Sequence, residues 1–248
     1  MSYDKWCSCF TRHCFFEMAV FVSTRYLKHA QFDIENLLYC VPFACGRHET
    51  RTIHTVIRED RDVITVNCFS KNDQESEWIH HLEVSARARK HAAPKNMSID
   101  IPSIMARCEV LDKHTSLVPK TIVEIKGNKW NNLAALYKND TELLLYFSVD
   151  KALLTELDQY ILFPSLLDPA INSGNLIIND VFLPFSCEQA RFYQPLPPRM
   201  YSYIKLKEQD RVTEEFAAFD VTLLDEDGRI IGELNNYVIK KSMMRRTL

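Results

Sequence analysis

Phe163-Pro164-Ser165-Leu166-Leu167-Asp168-Pro169-Ala170-Ile171-Asn172 sets one carboxylate inside an otherwise apolar run, with a carboxamide four residues later. A helix beginning near Pro164 puts Asp168 and Asn172 one turn apart on the same face. A carboxyl held among Leu166, Leu167 and Ile171 loses water, and desolvation favours its neutral, proton-donating form at pH 7. That is the form a general acid needs. The structural alternative is an Asp near a helix start that accepts from backbone N–H groups.

The 248 residues are enough for one large domain or two ordinary ones, with a substantial core. The formal net charge of -3 is spread along the chain, so no basic field points to nucleic acid and no polybasic cluster to an anionic membrane. Five glycines are few for this length, which leaves positive-φ turns to Asn, Asp or Lys. Of eight cysteines, Cys40, Cys45, Cys68, Cys108 and Cys187 lie in apolar, strand-like runs where a reduced thiol acts as a small core residue. No secretory signal precedes them and no apolar run reaches membrane-spanning length, so the expectation is a soluble, cytoplasmic protein. Cys7-Ser8-Cys9, with His13 and Cys14, is the grouping that hints at metal. Structural zinc wants C-x2–4-C and a matched second pair, and neither is present, so no metal is expected.

An apolar stripe at Phe15, Met18, Ala19, Val22 and Tyr26 predicts a helix from about Cys14 to Lys28. Asn36–Cys45, Arg51–Arg58, Val63–Phe69 and Trp78–Ala88 then read as strands. Lys90–Pro102, with two prolines and little periodicity, reads as a linker. Beyond it the order partly repeats. Thr121–Lys126 and Glu142–Val149 look like strands, Pro164–Ser173 like a helix start, and Val181–Cys187, Met200–Lys207, Phe216–Leu224 and Ile230–Ile239 like strands again. The last two flank Asp225-Glu226-Asp227-Gly228, a strong hairpin turn. The fold class is therefore α+β: two helix-plus-antiparallel-sheet units joined by a linker, at 1–89 and 103–241, with a tail at 242–248.

The motif order resembles the dehydratase domain of modular polyketide synthases, a double hotdog fold. Gly127-Asn128-Lys129-Trp130-Asn131-Asn132-Leu133 resembles that family's G-P-x-[FW]-x-x-L segment, and Phe163–Asn172 its H-P-x-L-L-D-x-x-x-Q helix start. Leu183-Pro184-Phe185 resembles its L-P-F strand, and Leu196-Pro197 with Tyr201-Ser202 the segment that follows. Asp220–Ile239 resembles its closing hairpin. The match covers about Gly127–Lys241, and the first half resembles the family only in the helix Phe15–Tyr26 and the strands after it.

The resemblance implies removal of water from a β-hydroxyacyl chain held as a thioester on an acyl carrier protein. A His takes the proton α to the carbonyl and an Asp protonates the departing hydroxyl. No metal, nucleotide or flavin cofactor is implied; a homodimer and other synthase domains are implied as partners. Asp168 falls on the family's acid, and Asn172 where the family has Gln or His, keeping the amide with one methylene fewer. Gly127, Trp130, Leu183 and Pro184 would line the substrate site, and Phe163 replaces a His as a packing residue. Laying Cys14-Phe15-Phe16-Glu17-Met18-Ala19 on the family's A-Y-L-E-M-A puts Thr11, Trp6 and Ser2 at the Pro, Gly and base His of H-x-x-x-G-x-x-x-x-P. None of the three matches, so the expected base is missing and the first hotdog reads as truncated. A non-catalytic acyl-binding or scaffold protein of the same assembly line is the alternative.

His13 is the nearest candidate for a substitute base, but base chemistry depends first on placement. His80 and His81, adjacent in a strand, point to opposite faces and share no ligand site. Ser165 lacks the strand-turn-helix context of a nucleophile elbow, and Gly127-Asn128-Lys129 lacks the glycine-rich run of a phosphate loop.

Overall fold

Runs rich in Val, Ile and Thr suit a pleated, half-buried surface. They collect into one continuous antiparallel sheet. The computed structural model describes residues 12–27, 31–46, 49–89, 97–112, 130–178, 180, 182–207 and 213–241. The strands are β1 Phe32–Tyr39, β2 Thr52–Asp60, β3 Val63–Lys71, β4 Ile79–Ala88, β5 Glu109–Leu111, β6 Leu133–Lys138, β7 Glu142–Ser148, β8 Phe182–Phe192, β9 Arg199–Leu206, β10 Phe216–Leu224 and β11 Ile230–Lys241. Among them lie α1 Arg12–Tyr26, α2 Ile101–Ala106, α3 Leu154–Leu157, α4 Pro164–Asn172 and α5 Asn175–Ile178.

The strand order β2-β3-β4-β1-β8-β11-β10-β9-β7-β6-β5 shows the internal repeat. In each half a helix leads into the strand at the junction: α1 into β1, and α4, through α5, into β8. Those two strands pair with each other, Ile34 opposite Ala190 and Leu37 opposite Cys187. The sheet is thus continuous through both halves, and α1 meets α4 directly. One apolar core serves both: Phe15, Phe16, Ala19 and Val20 of α1 cluster with Leu166, Leu167, Ala170 and Ile171 of α4 and the inward strand residues. This is the α+β hotdog architecture expected from the sequence.

The buried face of α1 is broader than a single stripe. Phe16 and Val20 are buried beside Phe15 and Ala19, while Tyr26 is 52% exposed. A helix packed against both a sheet and a second helix buries more than a narrow line of residues.

The first strand also differs from its expected span, running over Phe32–Tyr39 rather than Asn36–Cys45. Pro42, which has no N–H to give a ladder, lies just beyond the last main-chain bonds, from Cys40 and Val41 to His81 and His80. Inside β1, Asn36 takes φ 54° at a shift of register against β4. Asn236 does the same in β11 at φ 53°, so asparagine fills two positive-φ sites as expected; among the described residues Arg61, in the β2–β3 turn, also takes a positive φ. Leu133–Lys138 forms a strand that its own residues do not announce, because Leu-Ala-Ala-Leu-Tyr-Lys carries no β-branched residue. Ile101 and Pro102, at the end of the expected linker, open α2, whose N-cap Asp100 accepts from the Ser103 N–H at 3.3 Å. Thr121–Lys126 lies outside the described residues.

Helix α2 covers the other face of the second half, with Ile101 and Ile104 against Leu144 and Leu224. Gly228 fixes that covering segment. At φ +80° it closes the β10–β11 turn, and a Cβ there would stand 2.4 Å from the Ile99 carbonyl oxygen. Arg107, just after α2, donates to both oxygens of Glu142 at 2.7 and 3.0 Å, and Asn139 and Tyr203 donate to the same carboxylate. Arg107 above all pushes the Glu142 carboxyl down to about 2.

Candidate active site

Helix α4 is an uneasy sequence for a helix, and its repairs come from elsewhere in the chain. Pro164 is at home in the first turn, but the N-cap Phe163 offers no side-chain acceptor. Pro169, inside the helix, has no N–H to give the Ser165 carbonyl. The buried side chain of Asn132, two residues past Trp130, supplies that donor at 3.2 Å. Further on, the Ser202 hydroxyl from β9 donates to the Ala170 carbonyl, and Ser173 donates to Pro169 at 2.6 Å. These bonds hold the residues on either side of Asp168.

Asp168 is the fifth residue of α4 and is 7% exposed. Its Oδ1 meets Nδ1 of His13 in a direct contact from the first turn of α1. His13 is fully buried. Its Nε2 lies 3.4 Å from the hydroxyl of Tyr237 on β11, and the ring packs edge-on against Tyr39 of β1, centroids 5.6 Å apart. One helix from each half of the repeat therefore contributes one ionisable group, and the two meet inside the core. An imidazole facing a carboxyl in such a place can pass a proton between two defined atoms.

One turn along α1, Glu17 is 5% exposed and points the same way. Its two oxygens accept from the main-chain N–H groups of Ile161 and Leu162 at 2.9 and 2.7 Å. Burial raises the Glu17 carboxyl above its ordinary value, and the two amide bonds oppose that rise.

The expected site residues fare differently. Asn172 stands one turn beyond Asp168, but its Oδ1 is buried with no hydrogen-bond partner among the described residues. Trp130 is half-buried just ahead of β6; on β8, Leu183 is half-buried and Pro184 buried. Gly127, and the Ser2, Trp6 and Thr11 of the base-motif alignment, lie outside the described residues. Phe163 is 3% exposed and packs near Tyr160, as a packing residue should. His80 and His81 do face opposite ways: His80 stacks on Phe69, and His81 lies buried against Phe15. The fold sets His13, the nearest candidate for a substitute base, directly against Asp168, while the positions aligned with the base motif lie outside the described residues. Reading along the chain missed this because the pair is joined by tertiary packing. The roles of Asn132, Glu17 and Tyr237 were equally invisible, although the shared spacing of His13 and Glu17 on one helical face was a usable signal.

Residues 121–243 match the family model described as the polyketide synthase dehydratase N-terminal domain. The chain is 23% identical over 197 residues to polyketide synthase PksM of Bacillus subtilis (strain 168), an alignment covering 73% of this chain and 5% of that protein. The chain thus spans a small fraction of the curated relative it matches. Among solved structures, the N-terminal dehydratase from the difficidin assembly line superposes with a TM-score of 0.82 at 17% identity, covering 94% of this chain and 85% of that one. The CurK-module dehydratase of the curacin polyketide synthase gives 0.82 at 18% identity, covering 95% and 85%. Variants of that CurK domain with an aspartate changed to asparagine, or a histidine to phenylalanine, are each described as inactive. No helix among the described residues is long and apolar enough to cross a membrane.

Proposed function

We propose, from the premise that residues 121–243 of this chain belong to the polyketide synthase dehydratase family, that it eliminates water from a β-hydroxyacyl thioester, with His13 as base and Asp168 as acid. The observation that carries the reading is the His13–Asp168 contact between the helices of the two halves. The step needs an unprotonated imidazole nitrogen and a carboxyl that still carries its proton. His13 takes the proton from the carbon α to the thioester carbonyl, and the electron pair forms the Cα–Cβ double bond. The Cβ–O bond breaks as Asp168 gives its proton to the hydroxyl, and water leaves. The pair is then imidazolium and carboxylate, and its direct contact lets the proton return from His13 to Asp168 for the next turnover. Asn172 sits one turn from the acid, and Gly127, Trp130, Leu183 and Pro184 line the acyl tunnel in this reading. The partner is an acyl carrier protein presenting the thioester, beside other synthase domains and, in the family's manner, a second copy of the chain. The reaction needs no cofactor, and the reading places it in the cytoplasm.

One observation favours a second reading. His13 is fully enclosed, with one ring nitrogen at Asp168 and the other at Tyr237, which leaves neither nitrogen turned to a substrate and favours the non-catalytic acyl-binding or scaffold alternative.

The test is incubation with a carrier-bound β-hydroxyacyl thioester, following loss of one water by mass. The proposal requires enoyl product from the wild type, lost in both His13→Ala and Asp168→Ala. Turnover lost in Asp168→Ala but kept in His13→Ala rejects His13 as base. Saturable carrier binding with no enoyl product establishes the acyl-binding reading instead.

A further inference from the structure

We infer that Glu17 is a positioning residue that sets α4 against α1, so that Asp168 arrives at His13; the inference rests on the reading of that pair given above. Glu17 follows His13 by one helical turn, so both leave the same face of α1. Each of its oxygens takes one of two successive main-chain N–H groups, Ile161 at 2.9 Å and Leu162 at 2.7 Å. Those amides immediately precede the N-cap of α4, the place where this helix lacks a cap of its own. The clamp holds the chain just ahead of a helix whose N-cap has no side-chain acceptor, and it is delivered from the other half of the repeat. On the opposite side, the Ile161 carbonyl accepts from the Leu196 N–H at 3.1 Å, so the segment is held from both directions.

A carboxylate is costly to bury, and the raised Glu17 carboxyl reflects that cost. A purely apolar helix contact would be met by Leu or Met at this position, without such a penalty. Two acceptors on a rigid carboxyl fix both the height and the angle of the chain entering α4. A displacement of about 1 Å at a reacting group costs about a hundredfold in rate, so this fixation bears on turnover.

The test uses the full chain, with Glu17→Ala and Glu17→Gln, the latter keeping one acceptor. Amide hydrogen exchange is read at Ile161 and Leu162. The wild type is expected to protect both. Exchange should quicken at least tenfold at one of them in Glu17→Gln, and at both in Glu17→Ala. With a β-hydroxyacyl thioester, kcat should fall about 10- to 100-fold with KM within about twofold, Glu17→Gln being milder. Should Glu17→Ala not fold, Glu17→Gln decides alone. Unchanged exchange in the folded variants, or unchanged kcat in an active enzyme, overturns the inference. A wild type without turnover defeats the proposed function, while exchange at the two amides still decides the clamp.

Discussion

Asn132 donates its side-chain amide to the main-chain carbonyl of Ser165, the acceptor that Pro169 leaves without a helical donor. Removing the amide strands a carbonyl in the core. Asn132→Ala should therefore destabilise the protein by about 1–3 kcal/mol in urea unfolding. Pro169→Ala restores an N–H one turn above Ser165. It should recover part of the loss in the Asn132→Ala background, and the two effects should not add. Strict additivity would show that the side chain is not replacing the missing helical bond.

His13 and Asp168 should be coupled in stability as well as in chemistry. Groups in direct contact give interaction energies of about 0.5–3 kcal/mol in double-mutant cycles. The cycle of His13→Gln, Asp168→Asn and the double variant, read by equilibrium unfolding, should fall in that range. A coupling indistinguishable from zero means that the two side chains do not meet.

Acid should loosen the covering segment at Arg107. The Glu142 carboxyl is held at about 2, below its ordinary 4.5, because Arg107 stabilises the charged form. A depressed carboxyl contributes stability that is complete above 4.5 and is lost as pH falls towards 2. The gap in unfolding free energy between wild type and Glu142→Gln should therefore be constant above pH 4.5 and shrink below it. A gap independent of pH across that window would contradict the assignment.

Gly228→Ala should be costly for two separate reasons. The left-handed conformation alone costs a side chain about 1–2 kcal/mol. The new Cβ would also collide with the Ile99 carbonyl, which belongs to backbone and has little room to yield. A thermal melt several degrees below wild type is expected, while Asp227→Ala, at an exposed neighbour, should stay within about 0.5 kcal/mol. Equal melting temperatures would show that the turn opens freely.

Much of the fold was legible along the chain because its signals are local. The Asp225–Gly228 turn, the strand Phe216–Leu224 on one side of it and the helix start at Pro164 each follow from a few neighbouring residues, and they stand where expected. The same locality explains the misses. Strand β6 has no β-branched residue and is held by its pairing with β7, so its own sequence does not announce it. The span of β1 depended on where Pro42 ended the pairing with β4, which only the partner strand defines.

The sequence alone determined that Asp168 would sit in an apolar helix start within a family of recognisable motifs, because a helix's face and a hairpin's turn are properties of adjacent residues. It could not determine what Asp168 would face. His13, Glu17, Asn132 and Ser202 lie on separate elements, and only the joining of β1 to β8 brings α1 against α4. The physical reason is that proximity across a sheet is set by packing and strand order, and no spacing along the chain encodes it. The carboxylate was legible; its partner was made by the fold.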